Sequence, residues 1–137
     1  MGKRQQILII DDNPADVYLI RAAITAANID ADLQVIKDGE QAIQFFDQTD
    51  QDALEPCPAL VILDINLPRK QGGEVLQHMR NSARCRAARV VAVSTSESPR
   101  DREEMMRLGA DNYFHKPSEF SDFMKLGDLL RALLSGY

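Results

Sequence analysis

The sequence predicts an α/β fold with a parallel sheet, and three observations carry that prediction. Five short strand-like runs each lead to a polar residue: Ile7–Ile10 before Asp11, Leu33–Ile36 before Lys37, Ala59–Leu63 before Asp64, Val90–Val93 before Ser94, and Asn112–His115, with Tyr113 and Phe114 at its centre, before Lys116. Stretches with apolar residues at helical spacing lie between them. Strand and helix patterns therefore alternate five times, which places crossover helices on both faces of a parallel sheet. Such crossovers are right-handed almost without exception.

Taken in order, strand one ends in Asp11-Asp12. Asn13-Pro14-Ala15-Asp16 then reads as a helix start: Asn13 can cap, Pro14 suits the first helical position, and Asp16 favours the positive end of the dipole. Val17, Ile20, Ile24 and Ala27 continue at helical spacing. Asp38-Gly39-Glu40 opens a second helix with Ala42, Ile43 and Phe46 on one face. Thr49 to Pro58 is polar, holds two prolines and reads as loop. The third strand is followed by turn residues Asn66, Pro68, Gly72 and Gly73, and a helix from about Gln71 carries Val75, Leu76 and Met79. Ser98-Pro99 predicts a capped fourth helix ending at Gly109. The last helix uses Phe120, Phe123, Leu126, Leu130 and Leu133 as a single stripe.

At 137 residues the chain reads as one domain over residues 1–137, with no separate output domain. Apolar residues make up 45%, enough for a full core, and a net charge of −5 of mixed sign argues against a nucleic-acid binder. The basic cluster Arg80, Arg84, Arg86 and Arg89 reads as a solvated helix end and loop, with a docking patch for an acidic partner as the alternative. No apolar run approaches the roughly 20 residues that span a bilayer. The basic N-terminus has too short an apolar part for a signal peptide, and Gln6 breaks a myristoylation pattern, so a cytoplasmic protein is expected. Cys57 and Cys85 form no CxxC motif, and in a reducing compartment two free thiols are expected. Both lie just before neighbouring strands, at the end opposite Asp64, where a disulfide is the alternative.

In a parallel sheet all strands point the same way. Asp11, Asp12, Asp64, Ser94 and Lys116 therefore collect at one edge, where open α/β sheets hold their sites. One acid after a strand is usually a cap or turn residue; three acids, a hydroxyl and a lysine at four strand ends point to a site. Three close carboxylates repel, and one would take up a proton unless a hard cation such as Mg²⁺ relieved the conflict. Asp64 could then act as a carboxylate nucleophile forming an aspartyl phosphate.

The segments IIDDNPAD, ILDINLPRKQGGEVL, VAVSTS and YFHKP, with their spacings, resemble the response-regulator receiver domains of two-component signalling over essentially the whole chain. The resemblance implies a doubly wound (βα)5 flavodoxin-like fold of strand order 2-1-3-4-5. It implies that Asp64 accepts a phosphoryl group from a histidine kinase, and that Asp11, Asp12, Asp64 and the main-chain carbonyl of Asn66 bind Mg²⁺ or Mn²⁺. Ser94 would be the switch hydroxyl, Lys116 the phosphate-binding lysine and Tyr113 the aromatic switch residue. The implied protein is a phosphoacceptor that catalyses its own phosphotransfer and autodephosphorylation and has no metabolite substrate. Its output would be a protein contact around helix four, strand five and helix five: a target, a homodimer or a phosphotransfer protein. The DxNLPxxxGxEVL segment is similar to single-domain regulators paired with phytochrome-type kinases.

Two rival readings exist. An aspartate-nucleophile hydrolase would need a second acid at position 66, where the sequence has Asn. An unphosphorylated scaffold would not need the full acidic set and Lys116. Thr95 stands where many receivers carry Ala or Gly, so slower reaction with small phosphodonors is expected. His78 reads as a surface residue, His115 as non-catalytic, and Met105 and Met106 as core.

Overall fold

The computed structural model describes residues 4–135. Its strands are β1 (Gln5–Ile10), β2 (Ala31–Ile36), β3 (Leu60–Asp64), β4 (Arg89–Ser94) and β5 (Asn112–His115). All pair in parallel in the order β2-β1-β3-β4-β5, as expected. The helices are α1 (Pro14–Ala26), α2 (Gly39–Gln51), α3 (Gly72–Arg80), α4 (Pro99–Arg107), α5 (Phe120–Phe123) and α6 (Lys125–Leu134). Among the described residues no helix is long and apolar enough to cross a membrane.

The apolar runs are continuous because both faces of the sheet are covered. Alternate residues of β1 point to opposite sides. Leu8 and Ile10 join Phe46 of α2, Leu76 and Met79 of α3, and Met105 of α4. Ile7 and Ile9 join Ile20 and Ile24 of α1 and Phe123, Leu126 and Leu130 of the last helices. Every residue of β3 is buried, so the strand that ends in Asp64 is clamped from both sides.

Several local expectations change. Strand β2 begins at Ala31, and α2 runs through Thr49 to Gln51, because register with β1 and helix packing extend both elements past their apolar residues. The last helix is two segments that meet at Met124. Ser98 occupies the N-cap position of α4 but makes no side-chain cap bond. Met106 is exposed, unlike Met105. Gly109 does follow α4 in the left-handed region, at φ 113°.

The two cysteines are not free thiols: Cys57 and Cys85 form a disulfide. Strands β3 and β4 are neighbours with Leu60 opposite Arg89, so the segments entering them run side by side. Their Cα atoms lie 5.4 Å apart, within the span a disulfide bridges. The arginines before β4 are not a simple solvated face either. Arg80 donates to the carbonyls of Gly109, Arg86 and Ala88 and pairs with Asp111. Arg84 donates to the carbonyls of Thr49 and Asp52, closing the end of α2. Asp50 accepts from the Ser82 hydroxyl and the Arg84 amide, and these bonds hold its carboxyl below the usual range. The sheet end opposite Asp64 is thus fastened by a covalent bond and by side chains that cap exposed carbonyls.

Candidate active site

The carboxyl ends of β1, β3 and β5 converge as the parallel topology requires. Asp11, Asp12 and Asp64 each offer an oxygen within 4.8 Å of the others. Asp11 and Asp64 are buried, whereas Asp12 is exposed at the mouth of an open cleft of about 460 Å³. Each buried acid is oriented by the backbone two residues further on: the Asn13 amide donates to Asp11 at 2.9 Å and the Asn66 amide to Asp64 at 3.0 Å. Asn66 therefore lies at the rim with its main chain folded over Asp64. Gly72 makes that turn possible, because a Cβ there would sit 2.5 Å from the Ile65 Cα and 2.7 Å from the Asp64 carbonyl oxygen.

Lys116 follows β5, and its amide donates to the Ser94 carbonyl at 2.7 Å, continuing the ladder past the strand. Its buried ammonium lies 3.1 Å from Asp11 and 3.4 Å from Asp64. A third carboxylate, Asp16 of α1, is nearer at 2.8 Å. The sequence shows Asp16 only as a helix-start acid; its place beside Lys116 follows from packing α1 near the end of β5.

Burial pushes the Asp11 carboxyl up to about 6, with the Asn13 amide and the Lys116 charge opposing and Asp64 adding to the rise. For Lys116, burial pulls down, but the Asp16 hydrogen bond and the Asp11 and Asp64 charges prevail, so the ammonium holds its proton above the ordinary range. The rise at Asp11 comes first from burial, and repulsion from Asp64 is a smaller part of it. Three oxygen donors with water access at Asp12 suit a hard divalent cation.

Ser94 is fully buried, and its Oγ accepts from the Ser96 amide at 2.9 Å. Ser96 is a residue the sequence reasoning missed. Its hydroxyl donates to Asp101 at 2.5 Å, and its carbonyl accepts from the Tyr113 hydroxyl at 3.2 Å. The repeated serines before Asp101 were the available signal. Tyr113 is thus not in the cleft; it packs in the core and reaches the loop after β4 from beneath, with Arg102 5.9 Å from its ring centre. Thr95 is exposed on the cleft wall. His78 is half-buried and bonded to Asp47, and His115 is exposed beside the Thr95 carbonyl, both outside the acidic cluster.

Fold and site together define a doubly wound protein whose carboxyl edge gathers carboxylates around one lysine. The family profile for the response regulator receiver domain matches residues 7–127, and the chain belongs to that family. It is 31% identical over 120 residues to the response regulator Rcp1 of Synechocystis, covering 88% of this chain and 82% of that protein. Among solved structures, the phosphorylated cyanobacterial phytochrome response regulator RcpA superposes with a TM-score of 0.85 at 26% identity, covering 98% of this chain and 96% of that one. The Mn²⁺-bound form of Rcp1 gives 0.81 at 29% identity, covering 93% and 92%.

Proposed function

We propose that the chain is a phosphorylation-controlled switch in which Asp64 accepts a phosphoryl group from the phosphohistidine of a histidine kinase. The observation that carries this reading is the meeting of Asp64 with Asp11, Asp12 and Lys116 at one strand edge. The residues fit Mg²⁺ or Mn²⁺ held by Asp11, Asp12, Asp64 and the Asn66 carbonyl, and the Mn²⁺-bound form of the similar protein Rcp1 supports a divalent cation. Such a cation, when bound, offsets charge on the carboxylates and on the phosphoryl oxygens.

This chain's residues supply the remainder. An Asp64 oxygen attacks phosphorus, a phosphorus–oxygen bond forms, and the phosphorus–nitrogen bond breaks with its electron pair left on the imidazole. Lys116 offsets charge on the phosphoryl oxygens, and Asp11 and Asn13 keep the nucleophile's neighbours in place. Ser94 gives up the Ser96 amide and donates its own hydroxyl to the phosphoryl group. The loop after β4 then shifts, and Tyr113, tied to Ser96, repacks, biasing the surface of α4, β5 and the α5–α6 pair. That surface would meet a target protein, a second copy or a phosphotransfer protein. Water attack on the acyl phosphate returns the switch. Likeness to Rcp1 and RcpA favours a phytochrome-type kinase as donor.

Incubation with Mg²⁺ and phosphoramidate, followed by intact-mass measurement, tests the reading. The expected result is an increment of one phosphoryl group, absent in Asp64→Asn and in a metal-free sample. No increment with this donor or with a phosphorylated kinase overturns it.

A further inference from the structure

The Lys116 ammonium is not centred on Asp64. It makes hydrogen bonds to Asp16 at 2.8 Å and Asp11 at 3.1 Å, while Asp64 is an ion-pair neighbour at 3.4 Å. An ammonium has three donors, and three carboxylates surround it. Asp16 is the one that does not belong to the cation-binding cluster. It stands on a fixed platform, because Asn13 caps the first turn of α1 through the Ala15 and Asp16 amides and Pro14 follows the cap. An aspartate in a first turn also complements the helix dipole, but that role is met without a contact to a residue 100 positions away.

We propose that Asp16 is a positioning residue for phosphotransfer, acting through Lys116; the proposal rests on the phosphoacceptor reading above. Asp16 tethers the ammonium from outside the cluster. The tether draws the ammonium toward α1, so that it meets Asp64 only as an ion-pair neighbour at 3.4 Å and does not close on the nucleophile. With Asp16 and Asp11 taking two of its three donors, the third remains for the phosphoryl oxygens that arrive at Asp64. A positioning group on a helix holds that geometry more firmly than one on a loop. The Asp16 side chain keeps partial contact with water, at 22% exposed against 6% for Lys116.

The sign of the effect separates this role from simple electrostatics. Deleting a negative charge beside the cleft should speed attack on an anionic donor. Loss of a tether should slow it. With phosphoramidate at saturating Mg²⁺, Asp16→Asn is expected to react about fivefold more slowly than the wild type, and Asp16→Glu to recover to within about twofold. The second readout needs neither cation nor donor: the ¹⁵Nζ resonance of Lys116 in the metal-free protein should be sharp in the wild type and Asp16→Glu, and broadened by exchange in Asp16→Asn. A phosphorylated wild type with Asp16→Asn equal or faster overturns the proposal and leaves the phosphoacceptor reading standing. An ammonium signal unchanged by Asp16→Asn overturns it too, and a wild type that takes up no phosphoryl group overturns both.

Discussion

The hydroxyl of Tyr113 donates to the carbonyl of Ser96 at 3.2 Å, joining β5 to the loop that follows β4. The same Ser96 donates its amide to Ser94 Oγ. A movement of Ser94 therefore has a direct route to Tyr113 and to the outer surface beyond it. Tyr113→Phe keeps the ring and removes that bond, at a cost of about 1 kcal/mol. Amide hydrogen exchange at Ser96 and Glu97 should accelerate in this variant while β1 and β3 stay protected. Unchanged exchange would show that the hydroxyl does not hold the loop.

Thr95 is exposed on the cleft wall, beside the path to Asp64. Thr95→Ala widens that path, and phosphorylation by a small donor should quicken by roughly threefold, a barrier change of under 1 kcal/mol. Initial rates at matched donor and Mg²⁺ concentrations check this. Equal rates for the two proteins discard the steric argument.

The Asp11 carboxyl holds its proton up to about pH 6 in the metal-free fold, against an ordinary value of 3.8. Between those values the folded chain binds more protons than the unfolded one, so stability falls as pH rises and levels off above about 6. The fall from Asp11 alone is about 3 kcal/mol. Asp50, shifted downward, gains its contribution below this window and does not mask it. Urea unfolding in chelator at pH 4, 5, 6 and 7 should show the decline, and Asp11→Asn or saturating Mg²⁺ should remove it. A flat profile for the wild type in chelator contradicts the assignment.

The Cys57–Cys85 bond closes a loop of 28 residues, for which chain entropy gives a stabilisation of about 3–4 kcal/mol. Reduction, or Cys57→Ser with Cys85→Ser, should lower the unfolding midpoint accordingly. Phosphorylation at Asp64 should persist, since the bridge lies at the other end of β3 and Arg84 still closes α2. A stability unchanged by reduction would show that the bridge closes no significant unfolded-state loop.

Gly72→Ala tests the turn over Asp64. A Cβ 2.5 Å from the Ile65 Cα forces the β3–α3 connection outward, and Asn66 moves with it. Mg²⁺ affinity should drop by about tenfold or more, corresponding to at least 1.4 kcal/mol. Calorimetric titration measures it, and wild-type affinity would mean that the loop accommodates the methyl group.

The sheet was legible because each buried strand is an apolar run that ends in a polar residue, and parallel topology alone brings Asp11, Asp12, Asp64 and Lys116 to one edge. Most of what escaped depends on register and side-chain reach. The disulfide does not: the topology already placed Cys57 and Cys85 side by side, and the expectation of free thiols came from the assumed reducing compartment rather than from the fold. The clamps made by Arg80 and Arg84 needed knowledge of which carbonyls a helix end leaves open. Asp16 looked complete as a helix-start acid, and its link to Lys116 exists only once α1 packs near the end of β5. Ser96 likewise lay beside a stronger signal, Ser94, and its bonds to Ser94, Asp101 and Tyr113 join β4, α4 and β5.

The central claim is that Asp64 is the group that carries phosphate. An acyl phosphate on an aspartate is reduced by borohydride to homoserine, which marks the residue permanently. After phosphorylation, borohydride treatment and peptide mass mapping, Asp64 alone should be converted, with Asp11, Asp12 and Asp16 intact. Conversion at another carboxylate, or none in a sample shown to be phosphorylated, would contradict the account.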